Sequence, residues 1–229
     1  CGHGTGPGMT MPVAAAALIR TLQATAFLAV ALACPATGAQ QPGFREKPVD
    51  QALLAEMRGG GFVLYMRHST SDSARPDRAP TVDLADCNTQ RPLSDEGRKQ
   101  ASTLGQNLLR ARIPVGEVVH SPYCRTRETA QLAFAGQPQL LRQEPLLAYS
   151  ANLPSDQKPP LLAAVRHLLS TPVAPGTNRV IIAHAPNLAD LMGYFVKPEG
   201  TFAVFRPLGA SQFEYLGSIP PPLWGTLLP

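Results

Sequence analysis

The 229-residue chain is poor in charge and in rings: charged residues make up 16% and aromatics 6%, with one tryptophan and 5 histidines. Its 20 Lys and Arg against 16 Asp and Glu give a net charge of +4, but the basic residues are scattered, without runs and without interleaved aromatics. That pattern argues against a nucleic-acid-binding surface and leaves only a mild field, one that favours small anionic substrates. Cysteine is also scarce, at 4 residues. Neither Cys87 nor Cys124 has a second cysteine or a histidine at ligand spacing, so no metal site is expected, and no cofactor is expected either. The longest uncharged apolar stretch, after Arg20, falls short of the roughly 20 residues that cross a bilayer, so no stable membrane span is expected either. What is present is 44% hydrophobic content, enough to bury the core of one globular domain.

The N-terminal region carries its own pattern. The first residue is Cys1, and Met9 or Met11 is the expected initiator. A lone Arg20 precedes the apolar stretch Ala24 to Ala33, and small residues follow around Ala36 to Ala39, the three-part layout of a secretory signal. The expectation is a leader and signal over residues 1–39, cleaved near Ala39, and a single domain over 40–229 in an exported protein, periplasmic or secreted. Leu32-Ala33-Cys34 loosely resembles a lipobox, which makes a lipid anchor at Cys34 the alternative. Cleavage near Ala39 leaves Cys87 and Cys124, an even pair that in an oxidising compartment is expected to form one disulfide, two buried thiols being the alternative. Closing that loop would stabilise the fold by about 4 kcal/mol in the chain-entropy account.

Along the domain, Gln51 to Met57 reads as a short helix, broken by Gly59-Gly60-Gly61 before the apolar run Phe62 to Tyr65. A loop rich in Ser, Asp, Arg and Pro spans Thr70 to Arg91, long enough for a compact domain that a role in shaping a site is expected. Ser94 is a plausible N-cap, with Asp95 and Glu96 in the first turn and Ala101, Leu104, Leu108 and Leu109 on one face of a helix ending near Pro114. A strand around Val118, a helix from Cys124 to Ala135, a short strand at Leu140-Leu141 and a helix from Pro160 to Ser170 follow. Val180 to Ala183 reads as a strand leading to His184 and a helix from near Asn187. Phe202 to Phe205 and Gln212 to Leu216 make a terminal antiparallel pair, and Ile219 to Trp224 an extended strap.

Three of these strands end in chemistry. The first leads into Arg67-His68, the second into His120 and then Cys124-Arg125, and the third into His184. Open α/β sheets place their sites at such strand ends. Guanidinium forks match phosphate oxygens two at a time, so Arg67 and Arg125 suit a phosphoryl group. His68, neutral at pH 7 with an ordinary pKa of about 6.5, could attack phosphorus. His184 would stabilise charge spreading over the oxygens, and the free N–H groups of the helix after Pro122 would add to the anion site. His120 reads as strand-end packing, His167 as a solvated helix residue, and Arg127 and Glu128 as helix surface. A cysteine-phosphatase loop is excluded, because Ala130 stands where Cys124 would need an arginine six positions on.

The segments YMRHSTSD, TQRPLSDEGRKQA, VVHSPYCRTRETA and VIIAHAPNLADLMG resemble the histidine phosphatase superfamily, the phosphoglycerate-mutase-like clan, branch 1, from about Gly61 to Leu216. The resemblance implies an α/β fold, a three-layer α/β/α sandwich with a mostly parallel central sheet. It implies a phosphohistidine on His68, with Arg67 and Arg125 as phosphate ligands and His184 as the second pocket histidine. Ser71, Ser121 and Ala185 become candidate substrate-binding positions. Departures are Ser69 where the family usually has Gly, Ser71 where Thr is common, and Ala74 in place of a phosphate-contacting Asn. The family's proton-donor glutamate is expected near Glu144, slightly early, so Glu144 and the loop carboxylates Asp72, Asp83 and Asp86 are the candidate general acids. The implied activity is metal-independent phosphomonoester hydrolysis on a small phosphorylated substrate. A non-catalytic binding protein and a mutase-type phosphotransferase are the alternatives.

Overall fold

Asp50 accepts the Leu53 N–H and caps α1 (Gln51–Met57), which presents Leu54 and Met57 inward before the glycines turn the chain into β1 (Val63–Arg67). The coordinates are a computed structural model that describes residues 43–78 and 82–228. The expected signal, its cleavage site and Cys34 lie outside the described residues. Ser94 caps α2 (Asp95–Arg110) through the Gly97 N–H, with Asp95 and Glu96 in the favourable first turn. The chain continues through β2 (Val115–His120), α3 (Cys124–Ala133), β3 (Leu141–Gln143), α4 (Lys158–Ser170), β4 (Asn178–Ala183) and α5 (Ala185–Met192). It closes with β5 (Phe202–Gly209), β6 (Gln212–Ile219) and the short α6 (Trp224–Leu227). No helix among the described residues is long and apolar enough to cross a membrane.

The strands form one sheet in the order β3-β2-β4-β1-β5-β6. β1 to β4 run parallel, β5 runs antiparallel to β1, and β6 pairs antiparallel with β5. Alternate side chains of the central strands feed two cores. Leu64, Met66, Val118, Val180 and Ile182 pack with α1, α2, α3 and α6, whereas Val63, Tyr65, Val119, Ile181 and Ala183 pack with α4 and α5. The result is a three-layer α/β/α sandwich. β1 and its neighbour β4 send their following helices, α2 and α5, to opposite faces, which opens a crevice beyond their C-terminal ends.

The tail differs from the expected extended strap. β6 runs to Ile219, and residues 221–227 then coil into a helical turn and α6, with Trp224 2% exposed in the first core. Proline fits the first turn of a helix, where its missing N–H would have had no partner. The long loop is tied down by a disulfide between Cys87 and Cys124, as the even pair suggested.

α2 and α3 touch at Gly105, where a Cβ would come within 1.9 Å of the Ala133 carbonyl oxygen. Gly105→Ala is therefore expected to push the helices apart and to lower stability by about 1–3 kcal/mol, read as a lower urea midpoint. An unchanged midpoint would contradict the close contact.

Candidate active site

The pairings Arg67 with Ala183 and His120 with Ile182 bring β1, β4 and β2 to their ends side by side. The His68 N–H donates to the Ala183 carbonyl at 3.0 Å, and the Ser121 N–H to the Ile182 carbonyl at 3.0 Å. The buried Tyr65 hydroxyl donates to the His184 carbonyl at 2.8 Å and accepts the His184 N–H at 3.3 Å. Two imidazoles therefore face one another at the crevice, the ring centroids of His68 and His184 5.5 Å apart at 65°.

Hydrogen bonding assigns the His68 proton. His68 Nδ1 lies 2.8 Å from the Ser69 carbonyl, which can only accept, so Nδ1 carries the hydrogen and Nε2 keeps its lone pair. Ser121 Oγ accepts the Tyr123 N–H and lies 2.9 Å from His184 Nε2. Ser121 Oγ can donate to that nitrogen, and in that tautomer the His184 hydrogen sits on Nδ1, which is buried without a partner. Burial, then the Arg125 charge, holds both imidazoles well below the ordinary histidine range, so both are neutral at pH 7.

Arg125, one residue into α3, is fully buried. Its Nη1 donates to Asp77 Oδ1 at 3.0 Å, and Tyr123 and Tyr149 lie against its guanidinium at 4.6 and 5.3 Å. The same Asp77 oxygen accepts the Arg91 N–H at 2.7 Å. Arg125 Nε and Nη2 have no partner, and neither has the buried Nε of Arg91. Nε and Nη2 form the side-on fork of a guanidinium, the edge that meets two oxygens of an oxyanion. Arg67 is held differently, its Nη1 donating to the Val196 carbonyl at 3.2 Å and its Nη2 to Glu199 at 3.0 Å. Part of the helix-end contribution expected of α3 is already used, since the Cys124 N–H donates to Gln90 Oε1 at 2.7 Å.

The structure thus gathers Arg67, His68, Arg125 and His184 at one place, with Ser121 bonded to His184 and buried Ala185 opening α5 beside it. Ser71 bonds to Glu199. The candidate acids are engaged elsewhere. Glu144 bonds to Arg142 and caps the turn at Leu146, and it lines a separate cavity with Pro160 and His167. Asp72 pairs with Arg75, Asp83 accepts the Ala85 N–H and Asp86 the Asn88 N–H. His120 is buried and bonds its Nδ1 to the Ser121 carbonyl, a strand-end packing position. Among the described residues no group of three or more His, Cys, Asp or Glu side chains is set to hold a metal.

Four participants were not selected from sequence: Asp77, Arg91, Tyr149 and Glu199. Arg91 was the closest to being legible, as it lies inside one of the four motifs. Asp77 is one acid among several in a polar loop, and Glu199 is 132 residues beyond Arg67 with no motif around it.

Residues 64–148 match the family model described as histidine phosphatase superfamily (branch 1). No curated protein matches the sequence. Among solved structures, the protein histidine phosphatase SixA complexed with tungstate is similar at a TM-score of 0.52 and 18% identity, over 70% of this chain and 97% of that one. The alpha-ribazole phosphatase from Shigella flexneri aligns at 0.49 and 16% identity, over 68% and 95% of the two chains. Bacillus stearothermophilus YhfR aligns at 0.49 and 17%, over 67% and 94%. The segment that resembles the histidine phosphatase superfamily carries Arg67, His68 and Arg125, and β4, paired with β1, leads into His184.

Proposed function

We propose that the protein is an exported, metal-independent phosphatase that hydrolyses a phosphomonoester through a phosphohistidine on His68. The observation that carries this reading is the pairing of a buried guanidinium whose Nε–Nη2 fork has no partner with a neutral imidazole whose Nε2 is free. A phosphoryl group on that fork would neutralise Arg125, accept from His184 Nδ1 and present phosphorus to His68 Nε2. Arg67 and Arg91 supply further positive charge, which is the role a metal ion would otherwise take. Tungstate is a tetrahedral oxyanion like phosphate, and its presence in the SixA structure supports an oxyanion pocket in this fold. The disulfide and the signal-like leader support export.

Turnover of p-nitrophenyl phosphate is expected to be insensitive to EDTA and to fall about 10³-fold in His68→Ala, about 4 kcal/mol of transition-state stabilisation. Undiminished turnover in that variant would remove His68 as nucleophile.

The neutral histidines also set a pH dependence of folding. Unfolded histidines take up protons near pH 6.5, whereas burial holds His68, His184 and, to a lesser degree, His120 neutral in the fold. Below about pH 6.5 the unfolded chain binds more protons, so stability falls with pH by up to about 1.4 kcal/mol per pH unit for each such histidine, until the folded-state pKa is reached. Above pH 7 these groups contribute no slope. Urea denaturation at pH 7 and pH 5.5 measures this, and equal stability at the two would contradict the assignment.

A further inference from the structure

Glu199 stands behind the proposed nucleophile. Its Oε1 accepts from Arg67 Nη2 at 3.0 Å and from Ser71 Oγ at 2.8 Å, its Oε2 accepts the Ser71 N–H at 3.0 Å, and Oε1 is 3.9 Å from His68 Nδ1. Among the described residues no other carboxylate is paired with either pocket imidazole. The backbone fixes it there. The Gly200 N–H is shared between the Arg67 and His68 carbonyls at 3.2 and 3.0 Å, and Gln100 ties the Glu199 carbonyl to the Thr70 N–H. Gly200 has a φ of +84°, and a Cβ there would meet Gln100 at 2.8 Å, so the turn carrying Glu199 admits little but glycine after it.

We propose that Glu199 is a positioning residue for phosphoryl transfer, holding Arg67 and the chain after His68 while its charge stabilises the cationic imidazole that exists when His68 carries phosphorus. This rests on the phosphatase reading above. As Nε2 bonds phosphorus, the bond to the leaving oxygen breaks and that oxygen takes the electron pair and a proton from solvent. Nδ1 keeps its hydrogen on the Ser69 carbonyl, so the ring becomes positive. Water then attacks phosphorus, releases a proton to solvent, and the N–P pair returns to the ring. Arg67 at the end of β1, Arg91 on the long loop and Arg125 on α3 all oppose the ring's positive charge, and His184 faces it from the junction of β4 and α5. Glu199, from the segment between α5 and β5, is the compensating charge. It lies on the Nδ1 side, away from a leaving group departing in line with Nε2, so its part is electrostatic and not proton donation.

Glu199→Gln keeps the size and an acceptor for Arg67 and Ser71 Oγ but removes the charge. With p-nitrophenyl phosphate in rapid-quench experiments, formation of acid-labile phosphohistidine is expected to slow by about tenfold to a hundredfold, about 1.4–2.7 kcal/mol of lost stabilisation of the developing imidazolium. Inhibition by inorganic phosphate should hold within about threefold or tighten, because a competing anion has left Arg67. The His68 NMR titration should move to lower pH. Should this variant not fold, Glu199→Asp, which draws the charge back by one methylene, is expected to show the same changes in smaller measure. A parallel loss of phosphate affinity, rate and melting temperature with an unmoved His68 titration would overturn the proposal. So would an unchanged phosphorylation rate beside a wild-type phosphohistidine. Failure of the wild-type protein to form phosphohistidine would instead overturn the phosphatase reading, and this one with it.

Discussion

A guanidinium sealed from water constrains the rest of this structure. Arg125 is fully buried, remains charged, and would be strongly destabilising if left alone. Asp77 satisfies Nη1, Tyr123 and Tyr149 pack against the guanidinium, and the remaining fork is left without an acceptor. The long loop is shaped by this demand. It carries Asp77 and Arg91 to the guanidinium, and the Cys87–Cys124 disulfide anchors it to the residue immediately before Arg125.

Burial of one charge also sets the chemistry of its neighbours. The enclosure that hides Arg125 also desolvates His68 and His184, and together with the Arg125 field it keeps them neutral. A backbone carbonyl then decides which His68 nitrogen is free, and a serine hydroxyl engages Nε2 of His184, leaving Nδ1 toward the site. Two cations of the site are oriented by carboxylates from distant parts of the chain, Arg125 by Asp77 and Arg67 by Glu199. The site is therefore a product of the whole sheet and its connecting loops.

Much of this was legible in the sequence because periodicity and capping are local. The ends of three of the four parallel strands showed as apolar runs meeting Arg67-His68, His120 or His184, and the Ser94 cap and the buried Ala101, Leu104 and Leu108 of α2 followed from spacing, whereas Leu109, expected on the same face, is 69% exposed. The disulfide followed from parity of cysteines in an export context. What stayed hidden is non-local. Nothing near Glu199 marks it as the partner of Arg67, since the two meet only because β5 lies beside β1. Nothing distinguishes Asp77 from Asp72, Asp83 or Asp86 until the loop is folded, when the other three prove to bond to local N–H groups or to Arg75. Glu144 follows β3, which the strand order puts at the sheet edge, and that placement is the tertiary fact; its bond to Arg142 is local. The triple-proline tail read as extended because proline disfavours helix interiors, yet it forms the first turns of a helix, where proline fits.

The most direct test of the account is a crystal structure of the protein with tungstate. The account predicts the oxyanion on the Nε–Nη2 fork of Arg125, within hydrogen-bond reach of His184 Nδ1 and with tungsten facing His68 Nε2, while Asp77 and Glu199 keep their arginines. Tungstate bound elsewhere, for example at Arg127 beside the disulfide, with the Arg125 fork still without a partner, would contradict it.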